Sequence, residues 1–185
     1  MGEPATKEVL SLDELEAAVG LRTGRKHILS ILVENKPGVL TRIAGLFARR
    51  GFNIDTLAVG PTDDEAFSRI TLTLDGALHP IDQVTKQLHK LVNVLKIRDL
   101  EPSDTMAREL ALFKISADGA TRAEAMQVCE IFRAKIVDVS KRTLVAEVTG
   151  TQEKIDAFER LVRPFGLVEM ARTGEIAIAR GRTET

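Results

Sequence analysis

The sequence contains no tryptophan and no tyrosine, and aromatic residues make up only 4% of the chain. Proteins that bind single-stranded nucleic acids stack the bases on aromatic side chains, so this deficit argues against such a role. The formal net charge of −1 points the same way, because binding to nucleic acid or to an anionic membrane requires a basic surface. We therefore expect neither nucleic acid nor a membrane as a partner.

Cysteine and long apolar runs are also scarce. Cys129 is the single cysteine among 185 residues, which excludes an intrachain disulfide and is typical of a reducing compartment. No apolar run approaches the roughly 20 residues of a membrane span, and the acidic N-terminus does not resemble a signal peptide. Hydrophobic residues nevertheless make up 44% of the chain. These features predict a cytoplasmic protein with aliphatic cores.

Residues that could act in catalysis are scattered rather than grouped in a known motif. His27, His79 and His89 are isolated, and the sequence has no CxxC pair, GxSxG elbow or Walker-type phosphate loop. The carboxylates at 63–65 fall in the predicted tip of a hairpin, which favours a solvated turn over a cation site. We expect neither a metal site nor catalytic residues in this chain.

Residues 1–24 differ in pattern from the rest and are interpreted as an N-terminal extension. Ser11 followed by Glu14 has the spacing of a helix-capping box, and Leu12, Leu15 and Val19 follow at helical spacing. A basic stretch bounded by glycines then leads into the first strand. Both a short appended helix and a frayed end are compatible with this pattern.

Hydrophobic periodicity in residues 25–100 predicts the order β-α-β-β-α-β. Apolar residues nearly fill the first strand, 27–33, and recur with a 3.6-residue period in the first helix, 38–50. A second helix begins at Pro80, and the remaining strands are predicted at 52–59, 67–74 and 92–97. This order is the split βαβ arrangement of ferredoxin-like domains.

The order repeats after a polar, proline-containing connector, LEPSDTMAR. Helices are predicted at 121–132 and around 155–162, and strands at 109–117, 135–139, 143–149 and 167–171. A last strand at 175–179 is expected to pair with the one before it. The predicted fold class is therefore α+β, with two tandem ferredoxin-like βαββαβ domains on antiparallel sheets. We place the extension at 1–24, the first domain at 25–100 and the second at 101–185.

The most informative segment is the turn Asn35-Lys36-Pro37-Gly38, which opens the first helix. The first turn of a helix presents unpaired N–H groups at the positive end of the helix dipole, which favours an anionic group such as a carboxylate. A glycine there lets a ligand approach the backbone, and the amide oxygens of Asn35 and Asn53 can accept hydrogen bonds from an ammonium group. The residues alone leave two interpretations open: a site for a small zwitterion, or ordinary turn and strand-start chemistry.

Longer stretches resemble one protein family. The segments ILSILVENKPGVLTRIAGLFARRGFNIDTLAVGPTDDEAFSRITL and QVTKQLHKLVNVLKI resemble the ACT domain of the regulatory small subunit of acetolactate synthase, also called acetohydroxyacid synthase. In the second half, RELALFKISA, EIFRAKIVDVS, VTGTQEKIDAF and VEMARTGEIAIARG are similar to the C-terminal ACT-like domain of that subunit. The resemblance covers about residues 26–181 and implies no role for the extension.

The resemblance implies a non-catalytic regulatory subunit with no cofactor of its own. Its partner would be the large catalytic subunit, which carries thiamine diphosphate, magnesium and FAD and condenses pyruvate with pyruvate or 2-ketobutyrate in branched-chain amino acid biosynthesis. The small subunit would activate that partner and mediate its feedback inhibition by branched-chain amino acids, most often valine. It would form a homodimer through its ACT domains, with the effector at their interface.

Carried over by position, the implied effector site contains Asn35, Lys36, Pro37, Gly38, Val39, Leu40, Asn53 and Ile54. The valine carboxylate is expected on N–H groups from Gly38 to Leu40. The ammonium group is expected on the carboxamide oxygens of Asn35 and Asn53, one of which can come from the second protomer. Val39, Leu40 and Ile54 are expected to line the pocket for the valine side chain.

Two other functions are alternatives at this point. An amino-acid sensor that acts on transcription or on another enzyme can also use βαββαβ domains, but only the 24-residue extension could supply a DNA-binding element. A small ferredoxin-like enzyme such as an acyl-phosphate hydrolase would need an arginine in the turn after the first strand, and residues 34–38 contain none.

Overall fold

The protein is described by a computed structural model that covers residues 26–75, 81–119, 121–182 and 185. The helix predicted in residues 1–24 lies outside these described residues, and so do His79 and Pro80. Within the described part of the chain, the elements form two antiparallel sheets, each covered by helices on one face.

The first module has the predicted β-α-β-β-α-β order. Its strands lie side by side in the order β2-β3-β1-β4, and every neighbouring pair is antiparallel. In chain order the elements are β1 (Lys26–Glu34), α1 (Val39–Arg50), β2 (Thr56–Pro61), β3 (Phe67–Asp75), α2 (Ile81–Leu88) and β4 (Val94–Leu100).

Alternation along β1 explains why both helices cover the same face. Leu29, Ile31 and Val33 are buried on that face and pack in one cluster with the apolar stripes of α1 and α2. Because α1 links β1 to the edge strand β2, this helix also lies toward the β2 edge of the sheet. The edge strand and the first helix are therefore neighbours at one side of the module.

The second module repeats the arrangement with the strand order β6-β7-β5-β8. Its core is built around Phe113 and Phe158, whose ring centroids lie 5.0 Å apart in an edge-on contact. In chain order the elements are β5 (Thr105–Ser116), α3 (Arg122–Ile131), β6 (Lys135–Val139), β7 (Thr143–Gly150), α4 (Gln152–Val162), β8 (Leu167–Arg172) and β9 (Ile176–Ala179). The predicted fold class, two tandem antiparallel βαββαβ modules, is confirmed.

Strand β2 begins four residues later than predicted, so Asn53 precedes the strand instead of starting it. The end of α1 takes up the intervening residues. Gly51 has a left-handed φ of 68°, and the N–H groups of Gly51 and Phe52 donate to carbonyl oxygens of the last helical turn. The ring of Phe52 then packs edge-on against Phe47 at 5.7 Å. These contacts keep residues 52–54 out of the ladder, and the first bond to β3 is donated by the N–H of Asp55 to the oxygen of Thr73 at 2.9 Å.

The pairing predicted for the last strand is wrong. Strand β9 pairs with Thr105–Arg108 of β5, whereas β8 pairs with Ala111–Ile115 of the same strand. Both run antiparallel to β5, so β9 continues the path of β8 instead of folding back on it. This is possible because β5 is 12 residues long and begins at Thr105, inside the predicted connector.

The paired segments of β9 and the first part of β5 form a ribbon that lies against the first module. Ala177 of the ribbon is buried in a small cluster with Ile28 of β1 and Leu100 of β4. The ribbon therefore covers part of the sheet face that α1 and α2 leave open. None of the helices in the described residues is long and apolar enough to cross a membrane.

Candidate functional site

The turn before α1 has the backbone geometry of an open helix start. Gly38 has a left-handed φ of 84°, and a Cβ atom built on it would meet no heavy atom within 4 Å. Among the described residues no acceptor receives the N–H groups of Leu40 and Thr41, while the N–H of Val39 lies 3.4 Å from the Lys36 oxygen. The first turn of α1 thus presents free donors at the positive end of the helix beside open space.

Neighbouring loops hold this turn in place. The backbone N–H of Asn35 donates to the oxygen of Ala66 at 2.8 Å, and its side-chain amide donates to the oxygen of Glu65 at 2.9 Å. The side chain of Glu34 accepts hydrogen bonds from Asn93 and Lys36, which lower the pKa of its carboxyl group in that order of importance. The turn is consequently fixed from two sides before any ligand arrives.

The two asparagines predicted at the effector site, Asn35 and Asn53, each use the side-chain nitrogen in a hydrogen bond and leave the side-chain oxygen unused within the described part of the chain. Asn35 uses its amide nitrogen on Glu65, and Asn53 uses its amide nitrogen on the carboxylate of Asp55 at 3.0 Å. Within the described residues neither carboxamide oxygen accepts a hydrogen bond. Each side chain therefore keeps one acceptor that suits an ammonium group.

The same two asparagines lie at opposite ends of α1. Asn35 precedes the helix, Asn53 follows it, and 12 helical residues span about 18 Å. Asn53 and Ile54 line a cleft of about 780 Å³ between the two modules, and the residues from Asn35 to Leu40 do not. One chain therefore carries two half-sites, and its own two asparagines cannot contact the same small molecule.

The three apolar residues expected at the effector site differ in exposure. Val39 is only 6% exposed and belongs to the core beneath α1, so its side chain presents little surface to a ligand in this protomer. Leu40 is 41% exposed next to the free N–H groups, and Ile54 is half-buried in the wall of the cleft. Leu40 and Ile54 therefore offer the larger apolar surface to a ligand.

The second module supplies the far wall of the cleft that contains Asn53, which the sequence did not reveal. Gln152, Arg172, Thr173 and Gly174 line this wall. A Cβ atom built on Gly174 would lie 3.1 Å from the Cβ of Thr56, so the turn between β8 and β9 touches the start of β2 closely. Lys26 of the first module contacts this wall: its ammonium group forms an ion pair with Glu175 at 2.7 Å and also donates a hydrogen bond to Gln152.

Arg172 is held in this wall by two carboxylates. It donates to both oxygens of Glu109, at 2.9 and 2.6 Å, and to Asp156 at 2.7 Å. These bonds raise the pKa of Arg172 above its ordinary value, with Glu109 the main cause, so the guanidinium stays charged. A signal was available in the sequence: Glu109 directly precedes the apolar run Leu110–Phe113, and a buried carboxylate requires a cationic or hydrogen-bonding partner.

The described residues contain no group of three or more histidine, cysteine, aspartate or glutamate side chains that could hold a metal ion. Cys129 is 1% exposed in the core of the second module, and burial raises the pKa of its thiol. A buried protonated thiol is a weak nucleophile. The free N–H groups at the start of α1 can bind an anionic group, and the carboxamide oxygens of Asn35 and Asn53 can accept hydrogen bonds from a cationic one.

Comparisons with known proteins cover both modules. A family model described as the AHAS small subunit-like ACT domain matches residues 29–96, and one described as the small subunit of acetolactate synthase matches residues 108–181. The acetolactate synthase small subunit of Mycolicibacterium smegmatis is 48% identical over 155 residues, which are 84% of this chain and 91% of that protein. A probable acetolactate synthase small subunit of Methanothermobacter thermautotrophicus is 52% identical over 156 residues, 84% of this chain and 93% of its own length.

A solved structure agrees with these matches. The crystal structure of the acetolactate synthase small subunit from Thermotoga maritima superimposes with a TM-score of 0.79 at 41% identity, covering 86% of this chain and 99% of that one. The similarity extends through both modules and is far above the level at which only a fold is shared. The chain belongs to the family of acetolactate synthase small subunits.

Proposed function

We propose that this regulatory subunit binds and activates a large catalytic subunit of acetolactate synthase and makes it sensitive to inhibition by a branched-chain amino acid, valine first among them. The observation that carries the proposal is the free helix start at Gly38, which lies at the position the family resemblance assigns to the effector. Thiamine diphosphate, magnesium and FAD would belong to the catalytic subunit.

The proposed binding mode uses the unpaired donors of α1 for the valine carboxylate. The N–H groups of Leu40 and Thr41 point away from the helix and have no acceptor among the described residues. The left-handed conformation of Gly38 leaves the approach to them open. Leu40 would contact the isopropyl group from the same chain.

The ammonium group would be held by two protomers. The carboxamide oxygen of Asn35 lies at the start of one α1, and that of Asn53 lies beyond the end of α1, so a second copy must bring its Asn53 to the first copy's Asn35. A twofold axis beside α1 does this, because it sets the two helices antiparallel.

The edge strand β2 offers a surface through which two protomers can associate about this axis. It has a hydrogen-bonded neighbour on one side only within the described residues, and Leu57 and Val59 are exposed on the side toward α1. Two such edges can pair across the axis and join the sheets of both protomers. An effector between the chains would then stabilise one relative position of the two first modules.

The energies required are modest. Valine has about 8 heavy atoms, so a ceiling of about 1.5 kcal/mol per atom allows at most about 12 kcal/mol of binding free energy. Effector affinities in the micromolar to millimolar range use about 4 to 8 kcal/mol of that, and a regulatory coupling of about 1 to 3 kcal/mol suffices to inhibit a partner. Because one methylene group changes affinity by about 1 to 3 kcal/mol, leucine and isoleucine are expected to bind more weakly or more tightly within that range.

The cleft offers a path from the effector to the rest of the molecule. Asn53 and Ile54 form one wall of it, and the turn of the second module at Gly174 forms the other. An effector held by Asn53 would therefore change the contact between the modules, and through it the surface presented to the catalytic subunit.

The decisive experiment is calorimetric titration of L-valine into the full chain and two variants of Gly38. We expect Gly38→Asp to abolish saturable binding, because its carboxylate would occupy the anion position. Gly38→Asn is the matched control: asparagine tolerates the left-handed φ as well as aspartate does, but carries no charge.

Retention of valine affinity within a few-fold in Gly38→Asn, with loss in Gly38→Asp, would support the site. Equal affinity in Gly38→Asp and the parent chain would show that the effector binds elsewhere. Equal loss of valine affinity in both variants would assign the effect to backbone strain at position 38. Valine binding by the Asn35→Ala variant would then decide whether the effector lies at this turn.

A further inference from the structure

The outer face of the first sheet, opposite α1 and α2, is covered over only half its width. The ribbon of β5 and β9 covers the side of β1 and β4 through Ile28, Leu100 and Ala177. Beside the ribbon, over β2 and β3, lies a groove of about 510 Å³. Its floor and walls are lined by Ala58, Gly60, Met106, Ile176 and Ile178. We call this feature the ribbon groove.

The ribbon groove is an exposed apolar surface. Ile176 is 62% exposed and Ile178 is 58% exposed, and β2 contributes only the small residues Ala58 and Gly60 opposite them. Two large aliphatic side chains on one concave surface are costly to leave in water, and such a patch marks a place where another chain segment packs. The groove is separate from the helix start at Gly38, which lies on the other face of the sheet.

Two arginines at the ribbon groove indicate the charge of its occupant. Arg69 donates to the hydroxyl oxygen of Ser30 at 2.8 Å, and Arg108 donates to the carbonyl oxygen of Ala107 at 2.6 Å. Neither guanidinium meets a carboxylate among the described residues. A complementary segment therefore has apolar side chains for the groove and carboxylates for the two arginines.

A second copy of the same surface is a poor occupant. A twofold contact through the ribbon groove would place the arginines of one protomer near those of the other, and like charges in a closed contact oppose association. The charge pattern calls for an acidic partner segment instead.

We propose that residues 8–21 of this chain occupy the ribbon groove. The segment, EVLSLDELEAAVGL, carries four carboxylates and no lysine or arginine, and Leu12, Leu15 and Val19 follow at the spacing of one helix face. It lies outside the described residues. It also precedes both family-model matches, which cover residues 29–96 and 108–181.

The covalent connection allows this placement. The segment is joined through four residues to Lys26, whose register partner on β3 is Asp75. Thr71, at the groove, lies four residues along the same strand, about 14 Å away at about 3.4 Å per residue. The chain from residue 21 to Lys26 can extend about 17 Å, so the segment reaches the groove within its own protomer.

Hydrogen–deuterium exchange on the full chain tests the proposal without valine, so it is independent of the proposed function. We expect amides of residues 8–21 to exchange about tenfold more slowly than in an unstructured peptide of the same sequence. The protection should disappear in Ile178→Asp and in Arg108→Glu, both exposed positions whose substitution leaves the core untouched. Leu161→Asp, at an equally exposed position on α4, should keep it.

A disulfide trap identifies the source of the segment. In a Cys129→Ala background, Leu12→Cys combined with Ile178→Cys should form a bond within single chains. Bonds formed only between chains would show that the segment of another copy fills the groove. Fast exchange in the parent chain, or protection unchanged by Ile178→Asp and Arg108→Glu, would overturn the proposal outright.

Discussion

At the scale of single residues, the second module is stabilised by a partly buried network of charged side chains. Arg172 is the clearest example, because its guanidinium bridges Glu109 of β5 and Asp156 of α4. The side chain of Glu109 is 1% exposed, so no water can replace the arginine as its partner. Removing one member of a buried ion pair destabilises the fold strongly, because the other charge is left buried without a partner.

Arg172→Ala is expected to lower the free energy of unfolding by about 3 kcal/mol, because it leaves the buried carboxylate of Glu109 without a cation. The matched control is Arg163→Ala, which removes an exposed guanidinium paired with Glu159 and should cost less than about 1 kcal/mol. Urea unfolding followed by circular dichroism measures both. Equal losses in the two variants would mean that Glu109 is hydrated in the folded protein.

The thiol of Cys129 gives a pH dependence with a definite sign. Burial raises its pKa in the folded state, so the unfolded chain loses this proton first as the pH rises. The stabilisation is therefore fully present below about pH 8.5, the ordinary thiol pKa, and is lost as the pH rises through the folded-state pKa.

We expect the parent chain to lose more stability than Cys129→Ala between about pH 7 and about pH 10, since alanine has no proton to release. Thermal unfolding at several pH values compares the two chains. Parallel pH profiles would show that the thiol is accessible to water in the folded state.

At the scale of elements, the edge strand β2 carries the proposed dimer contact. Its exposed side chains, Leu57 and Val59, point toward the α1 side, and its outer backbone edge has no neighbour among the described strands. Natural proteins protect such edges with charges when they must stay unpaired, and β2 has no charged residue. This composition favours an edge that pairs with another chain.

Leu57→Lys is expected to convert the dimer into a monomer, because it places a charge beside the axis where the two edges meet. Sedimentation equilibrium measures the dissociation constant, which should rise by at least about tenfold, equivalent to about 1.4 kcal/mol. Leu161→Lys, an exposed position on α4, should leave association unchanged. A monomeric parent chain, or an unchanged dimer in Leu57→Lys, would contradict pairing through β2.

At the scale of the whole molecule, the separation of Asn35 from Asn53 makes the effector site a property of two chains. Each asparagine keeps one free carboxamide oxygen, and α1 holds the two about 18 Å apart. A dimer then has two sites, each built from Asn35 of one protomer and Asn53 of the other. Mixed dimers distinguish this arrangement from a site within one chain.

Asn35→Ala and Asn53→Ala should each abolish high-affinity valine binding, yet an equal mixture of the two variants should recover it in part. Random exchange makes about half the dimers mixed, and each mixed dimer has one intact site, so about a quarter of the parent stoichiometry is expected. Calorimetry on the refolded mixture measures it. A mixture of the parent chain with the double variant is the control: its mixed dimers contain no intact site, so only its parent homodimers bind and about a quarter of the parent stoichiometry is expected, against about half if the site lay within one chain.

If the mixture of Asn35→Ala and Asn53→Ala does not recover valine binding, Asn35 of one protomer and Asn53 of the other do not form a shared site. Normal binding by either single variant would remove that asparagine from the site altogether.

Most of the local structure of this protein follows from its residue pattern. Apolar periods of 2 and 3.6 residues mark the strands and helices, because each element must bury one face, and Gly38 and Gly51 mark the ends of α1, because both need a left-handed φ. Free N–H groups at Leu40 and Thr41 follow from the helix start alone. The family resemblance likewise needed nothing beyond the order of residues.

Which residues come into contact depends on how the elements pack, and the residue pattern does not contain that information. Val39 lies in the helical stripe as its spacing predicts, but only its packing on the sheet beneath α1 shows that its side chain is buried in the core. The pairing of β9 depends on the length of edge that β5 leaves open, a long-range property that no local pattern contains. For the same reason the cleft shared by Asn53 and Gly174 could not be predicted: 121 residues of chain separate them, and only the packing of the two modules joins them.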